Sequence, residues 1–198
     1  MFRVVNAAAT TAAFLFLAAP AAAAAADAEA DRNKAAVCAA CHGEGGNSMN
    51  PANPSLAQQP EQFIATSLFM FREGNRRDPQ MSPMAANLSN ADMNDLAAYF
   101  SRQKASAPKH KASAENERAG AELASKFNCT QCHGPRLMGL QHIPRLAGQQ
   151  YEYLRTQLRL FKAGKRADSD GNMSAAAQAL TEKNIEVLVD YIAGMGAQ

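Results

Sequence analysis

Several kinds of pattern are missing from this 198-residue chain, and each absence narrows what it can be. No stretch alternates apolar and polar residues with the period of two that marks a half-buried strand, which leaves an all-α chain. Past the N-terminus no segment is long and apolar enough to cross a membrane, so only the first residues are candidates for an anchor. Aromatic residues make up 7% of the chain, are not interleaved with a dense basic stripe, and accompany a net charge of only +2. Nucleic-acid binding therefore has no support. Cysteine is scarce as well: there are four.

Those four occupy two copies of one motif, Cys38-Ala39-Ala40-Cys41-His42 and Cys129-Thr130-Gln131-Cys132-His133. Cys-x-x-Cys-His is the attachment signature of c-type haem, in which each thiol forms a thioether with a vinyl group and the adjoining histidine ligates the iron. A disulfide framework suits four cysteines in an exported chain, but gives no reason for a histidine after each pair. A structural zinc site needs both pairs, or one pair and spaced histidines, to converge on one metal. The expected cofactors are therefore two covalently bound haem c groups, one in each half. Haem limits the chemistry to electron transfer, gas binding or redox catalysis.

The N-terminus reads as a secretory signal. Arg3 precedes an apolar stretch from Val4 to Ala19, and Ala24-Ala25-Ala26 offers a small-residue cleavage site before Asp27. Asn6, Thr10 and Thr11 dilute this stretch, which makes an uncleaved anchor the weaker alternative. Residues 1–26 are assigned to a signal peptide, 27–103 to a first domain, 104–114 to a linker containing Pro108, and 115–198 to a second domain. Export to a bacterial periplasm follows, and loose membrane association stays open. Domains this small bury little core and need a staple, a role that covalent haem fills. Residues 27–103 carry six basic and nine acidic side chains, and residues 104–198 thirteen and nine. Such a dipole can orient docking on a redox partner, or it is ordinary variation in surface charge.

The halves are an internal repeat. Each motif is followed by glycine (Gly43, Gly134) and then by Pro-x-Leu-Ala, at Pro54–Ala57 and Pro144–Ala147. Ile64, Leu68 and Phe71 in one half, and Leu154, Leu158 and Phe161 in the other, mark one face of a helix. Each stripe runs into a basic end, Arg72, Arg76 and Arg77 or Lys162, Lys165 and Arg166. Met81 and Met173 come next, each seven residues before a leucine (Leu88, Leu180) and a capping Ser89 or Thr181 that starts a final helix. That helix carries Met93, Leu96, Ala97 and Phe100, or Ile185, Leu188, Val189 and Ile192.

A histidine and four porphyrin nitrogens leave one iron position open, and a thioether there gives a six-coordinate centre. The repeat nominates Met81 and Met173. Met84 is a rival, but its repeat partner is Ala176, which cannot ligate. His142 is matched by Ala52, so bis-histidine ligation is disfavoured. His110, in the linker, is expected to be solvated. Arg76, Arg77, Lys165 and Arg166 either neutralise haem propionates or serve as cations favoured at helix C-termini.

Taken together, these motifs resemble the di-haem cytochrome c4 family: two tandem class I cytochrome c-like domains, each wrapped around one covalently attached haem. The likeness rests on the two Cys-x-x-Cys-His-Gly sequences, the Pro-x-Leu-Ala segments, the paired Met-x6-Leu segments and the final helices, and it covers nearly the whole chain after the leader. It implies that the carbonyls of Pro54 and Pro144 bond the axial histidines, and that the domains pair about a pseudo-two-fold axis. Two departures stand out. The helix before the first haem reads as short, with Asn33 where glycine is common, whereas Glu115–Phe127 of the second domain contains Gly120.

The resemblance implies a periplasmic one-electron carrier, not an enzyme, taking electrons from a quinol-oxidising complex and passing them to a cytochrome oxidase. An electron-accepting subunit of a periplasmic dehydrogenase is the main alternative. A small di-haem redox enzyme is weaker, because catalysis at iron needs an open axial position.

Overall fold

Alanine-rich and leucine-rich segments favour helix, and a computed structural model, which describes residues 20–197, is built of helices. Among the described residues there is no β-strand, only an isolated bridge between Leu140 and Ile143. In the first half, helix α1 (Pro20–His42) leads through a long loop over residues 43–60, with one 3-10 turn at Glu44–Gly46, to α2 (Glu61–Arg72), α3 (Met81–Ala85) and α4 (Asn90–Arg102). The second half repeats the order with α5 (Ala114–Lys126), α6 (Cys129–His133), α7 (Tyr151–Lys162), α8 (Asn172–Gln178) and α9 (Glu182–Gly194). Residues 1–19, which hold most of the expected signal peptide, lie outside the described residues.

The two final helices start where the sequence supplies caps. Ser89 Oγ accepts from the Asp92 amide and the Asp92 carboxylate accepts from the Ser89 amide. Thr181 and Asn184 make the same reciprocal pair at the start of α9. Each such box satisfies two amides that a helix start leaves without partners. The apolar stripes then build two separate cores. Ile64, Leu96, Ala97 and Phe100 gather with Ala35 in one. Leu154, Ile185, Leu188, Val189 and Ile192 gather with Ala124 in the other.

The halves differ in how they enter the cysteine motif. In the second, Lys126 ends α5, and Asn128 takes the left-handed conformation (φ 57°) before α6 begins. Asparagine tolerates that region better than most residues. In the first half no such break occurs. Helix α1 runs continuously for 23 residues into His42, which corrects the expectation of a short helix there. Its alanine-rich sequence contains no glycine to interrupt it. Ala35 packs α1 against α4, and Lys34 bridges Asp92 and Asp95 on α4 at 2.7 and 2.6 Å.

In the second half Gly120 provides the close approach between α5 and α9. A Cβ at this position would lie 2.2 Å from the Cβ of Tyr191. Between the halves, residues 103–113 are irregular and held down at both ends. Asn47 bonds the Lys104 carbonyl and the Ser106 amide. His110 is not solvated as expected: its Nε2 lies 2.5 Å from the Asp190 carboxylate, and its ring lies against Tyr151 at 4.8 Å between centroids.

Candidate haem-binding sites

Spacing and helix geometry together explain the motif. Within α1, Cys38, Cys41 and His42 stand at i, i+3 and i+4, so all three project from one side of the helix. Cys129, Cys132 and His133 do the same on α6. None of the four cysteines is paired in a disulfide; Cys38 and Cys129 are half-buried, and Cys41 and Cys132 exposed. Among the described residues no three His, Cys, Asp or Glu side chains converge on a common point, as a zinc site would require.

The histidines are the most constrained part of each site. His42 and His133 are buried, and Nδ1 of each lies 2.8 Å from a carbonyl oxygen, that of Pro54 and Pro144 respectively. A carbonyl only accepts, so Nδ1 carries the proton and Nε2 presents its lone pair. Burial pushes both imidazoles below their usual pKa, against the smaller opposing pull of the proline carbonyl, which keeps them in the neutral, metal-binding form. On His133, Nε2 is buried and has no hydrogen-bond partner at all. A buried polar atom left unpaired is costly unless something occupies it. An iron ion in a haem attached to the neighbouring thiols fits that nitrogen.

Met81 opens α3 and Met173 lies in the first turn of α8, both half-buried. Each is fixed through its backbone: the Met81 amide donates to Asp78 and the Met173 amide to Asp168, both at 2.9 Å. Met84, one turn further along, is 49% exposed. His142 is turned toward Asp170, 3.3 Å away at the surface.

Of the four cations considered for the propionates, two differ from the rest. Arg76 and Arg166 are half-buried and stack at 4.4 Å over Phe71 and Phe161, while Arg77 and Lys165 are exposed. Both converge on α7 of the second half, where Arg76 bonds Tyr153 and Gln157 and Arg166 bonds Gln157. Burial lowers the Arg166 pKa to about 10, which leaves it charged at neutral pH, and its Nε is unpaired.

Three residues between the sites were not anticipated. Gln59 takes the Arg145 amide on its Oε1 and gives its Nε2 to the Arg145 carbonyl, each at 2.9 Å. Gln149 does the same to Ser55, at 2.7 and 2.9 Å. Ser55 and Arg145 are repeat counterparts, and so are the two glutamines, so the halves exchange identical bonds, as two-fold partners do. The Arg145 guanidinium is 1% exposed and donates to the carbonyls of Ala57 and Ala147. Burial lowers its pKa to about 10, so it too remains charged. A matched glutamine five residues after each proline was the available signal.

The cytochrome c family model matches residues 28–104 and again 117–196. The chain belongs to the di-haem cytochrome c4 family. It is 38% identical over 179 residues to a cytochrome c4 from Pseudomonas aeruginosa, covering 85% of this chain and 89% of that one. The crystal structure of reduced recombinant cytochrome c4 from Pseudomonas stutzeri superposes with a TM-score of 0.78 at 36% identity, over 85% of this chain and 98% of that one. A thiosulfate dehydrogenase electron acceptor from Thiomonas intermedia is 39% identical over 172 residues, covering 81% and 79%. As a family member the chain binds two covalently attached haem c groups and is an electron carrier, not an enzyme, with redox proteins as its partners.

Proposed function

We propose that this cytochrome works in the periplasm, accepting single electrons from a quinol-oxidising complex and delivering them to a terminal cytochrome oxidase. His42 and Met81 hold one iron and His133 and Met173 the other, with thioethers to Cys38, Cys41, Cys129 and Cys132. When bound, each haem supplies a one-electron ferric–ferrous couple. The protein's part is to keep both axial positions filled, so that electrons pass while small molecules do not bind. The observation that carries this is the buried histidine whose Nδ1 is tied to a proline carbonyl and whose Nε2 is left free. Pro54 and Pro144 orient the imidazoles, since a hydrogen bond at the far ring nitrogen fixes both tautomer and rotation. The backbone bonds from Asp78 and Asp168 support methionine ligation by anchoring the two residues the repeat nominates.

Met173→Ala tests the ligand set. It halves the weak near-infrared charge-transfer band of sulfur on ferric iron and opens one haem to carbon monoxide. An unchanged band would overturn the assignment of Met173.

A second reading has a specific observation behind it. The similarity to a thiosulfate dehydrogenase electron acceptor supports a role as the accepting partner of a periplasmic dehydrogenase. Co-purification with a catalytic subunit, in place of reduction by a quinol-oxidising complex, distinguishes the two.

A further inference from the structure

The peptide unit that holds each axial histidine is shared between the two domains. The Pro54 carbonyl accepts from His42 Nδ1, and the other end of the same peptide plane, the Ser55 N–H, donates to Gln149 of the second domain at 2.7 Å. In mirror fashion, the Pro144 carbonyl accepts from His133 and the Arg145 N–H donates to Gln59 of the first domain at 2.9 Å. Both glutamines are 3% exposed, so water does not replace them. Each is also pinned in its own loop, the Gln59 amide to Leu56 and the Gln149 amide to Leu146.

We propose that Gln59 and Gln149 are crosswise positioning residues, each tuning the iron of the opposite domain through the proline–histidine bond. Peptide resonance links the two ends of the plane. A hydrogen bond accepted from the N–H therefore makes the carbonyl oxygen a stronger acceptor, as in any polarised hydrogen-bond chain. A stronger acceptor at Nδ1 raises the basicity of the ligating nitrogen. A more basic ligand favours ferric over ferrous iron, so loss of the glutamine favours the ferrous state in the other domain. The inference rests on His42 and His133 being the axial ligands.

The test is a redox titration of the holoprotein as wild type, Gln149→Met and Gln59→Met, with the two haems resolved by nuclear magnetic resonance. Gln149→Met raises the reduced-to-oxidised ratio of the first-domain haem by about threefold at fixed ambient potential and leaves the second-domain haem unmoved. Gln59→Met does the reverse. A shift in the variant's own domain, an equal shift in both, or none overturns the proposal. If a variant fails to take up two haems, amide hydrogen exchange of the wild type decides instead. The Ser55 and Arg145 amides are more protected in the oxidised than in the reduced protein, and equal protection overturns the proposal. Low-spin haems without the crosswise pattern defeat this inference alone. Wild-type haems that show no histidine ligand by nuclear magnetic resonance defeat the ligation reading beneath it.

Discussion

Gly120→Ala sets two effects of opposite sign against each other. Alanine in a helix interior is favoured over glycine by about 1 kcal/mol, so propensity alone makes the substitution stabilising. The tertiary structure says otherwise. The new Cβ would fall 2.2 Å from Tyr191 Cβ and 2.6 Å from Cγ, against separations of at least 3.4 Å in ordinary contacts. Tyr191 Cβ is fixed by the backbone, so a rotamer change cannot clear that contact, and α5 must move by about 1 Å from α9. Overpacking of this kind costs about 1–3 kcal/mol and occasionally more, and here it acts on the contact that closes the second domain. With the propensity gain subtracted, the net expectation is destabilisation by about 1 kcal/mol, which lowers the Tm of a unit this size by about 4–8 °C. Ala121→Gly, at the adjacent exposed position, is the control, losing about 1 kcal/mol through propensity. Thermal unfolding of the holoprotein, followed by circular dichroism, reads both. A higher Tm for Gly120→Ala would refute the close approach of α5 and α9.

Three further outcomes follow from other parts of the molecule. Burial works to raise the Asp190 carboxyl, but hydrogen bonds from Asn116, His110 and the Ser113 amide outweigh it and hold it below its ordinary 3.8. This contribution is therefore complete above pH 3.8 and lost as pH falls through the depressed native value, so acid unfolding of Asp190→Asn depends less steeply on pH than that of wild type. Arg145→Met leaves the Ala57 and Ala147 carbonyls without these donors and costs about 1–3 kcal/mol, measured as a lower denaturant midpoint; an unchanged midpoint would mean that the buried guanidinium is not a tie between domains. Cys129→Ser leaves the first-domain haem attached through two thioethers while the second is held by one or lost, which mass spectrometry of the intact protein shows directly.

Chemistry that depends on near neighbours was legible in the sequence. Cys-x-x-Cys-His places three groups on one side of a helix whatever surrounds it, and capping by Ser89 and Thr181 needs only three residues. The stripes ending at Phe100 and Ile192 could be read because burial on a helix recurs at a fixed period. Even the offset from Met81 to Leu88 and from Met173 to Leu180 emerged by comparing the chain with itself.

What the linear order could not express is which parts of the two halves meet. Gln59 and Arg145 are 86 residues apart, and no local rule brings them together. His110 looked solvated because Asp190 is 80 residues away, and the reason for Gly120 is Tyr191, on another helix. The length of α1 was misjudged from Asn33, since a single residue's preference is small against the helix-forming alanines around it and packing on α4. Local propensity and spacing thus determined the helices and the haem motifs. Packing between distant segments decided which buried hydrogen bonds join the two sites, because a polar group removed from water takes whichever partner the fold places within reach.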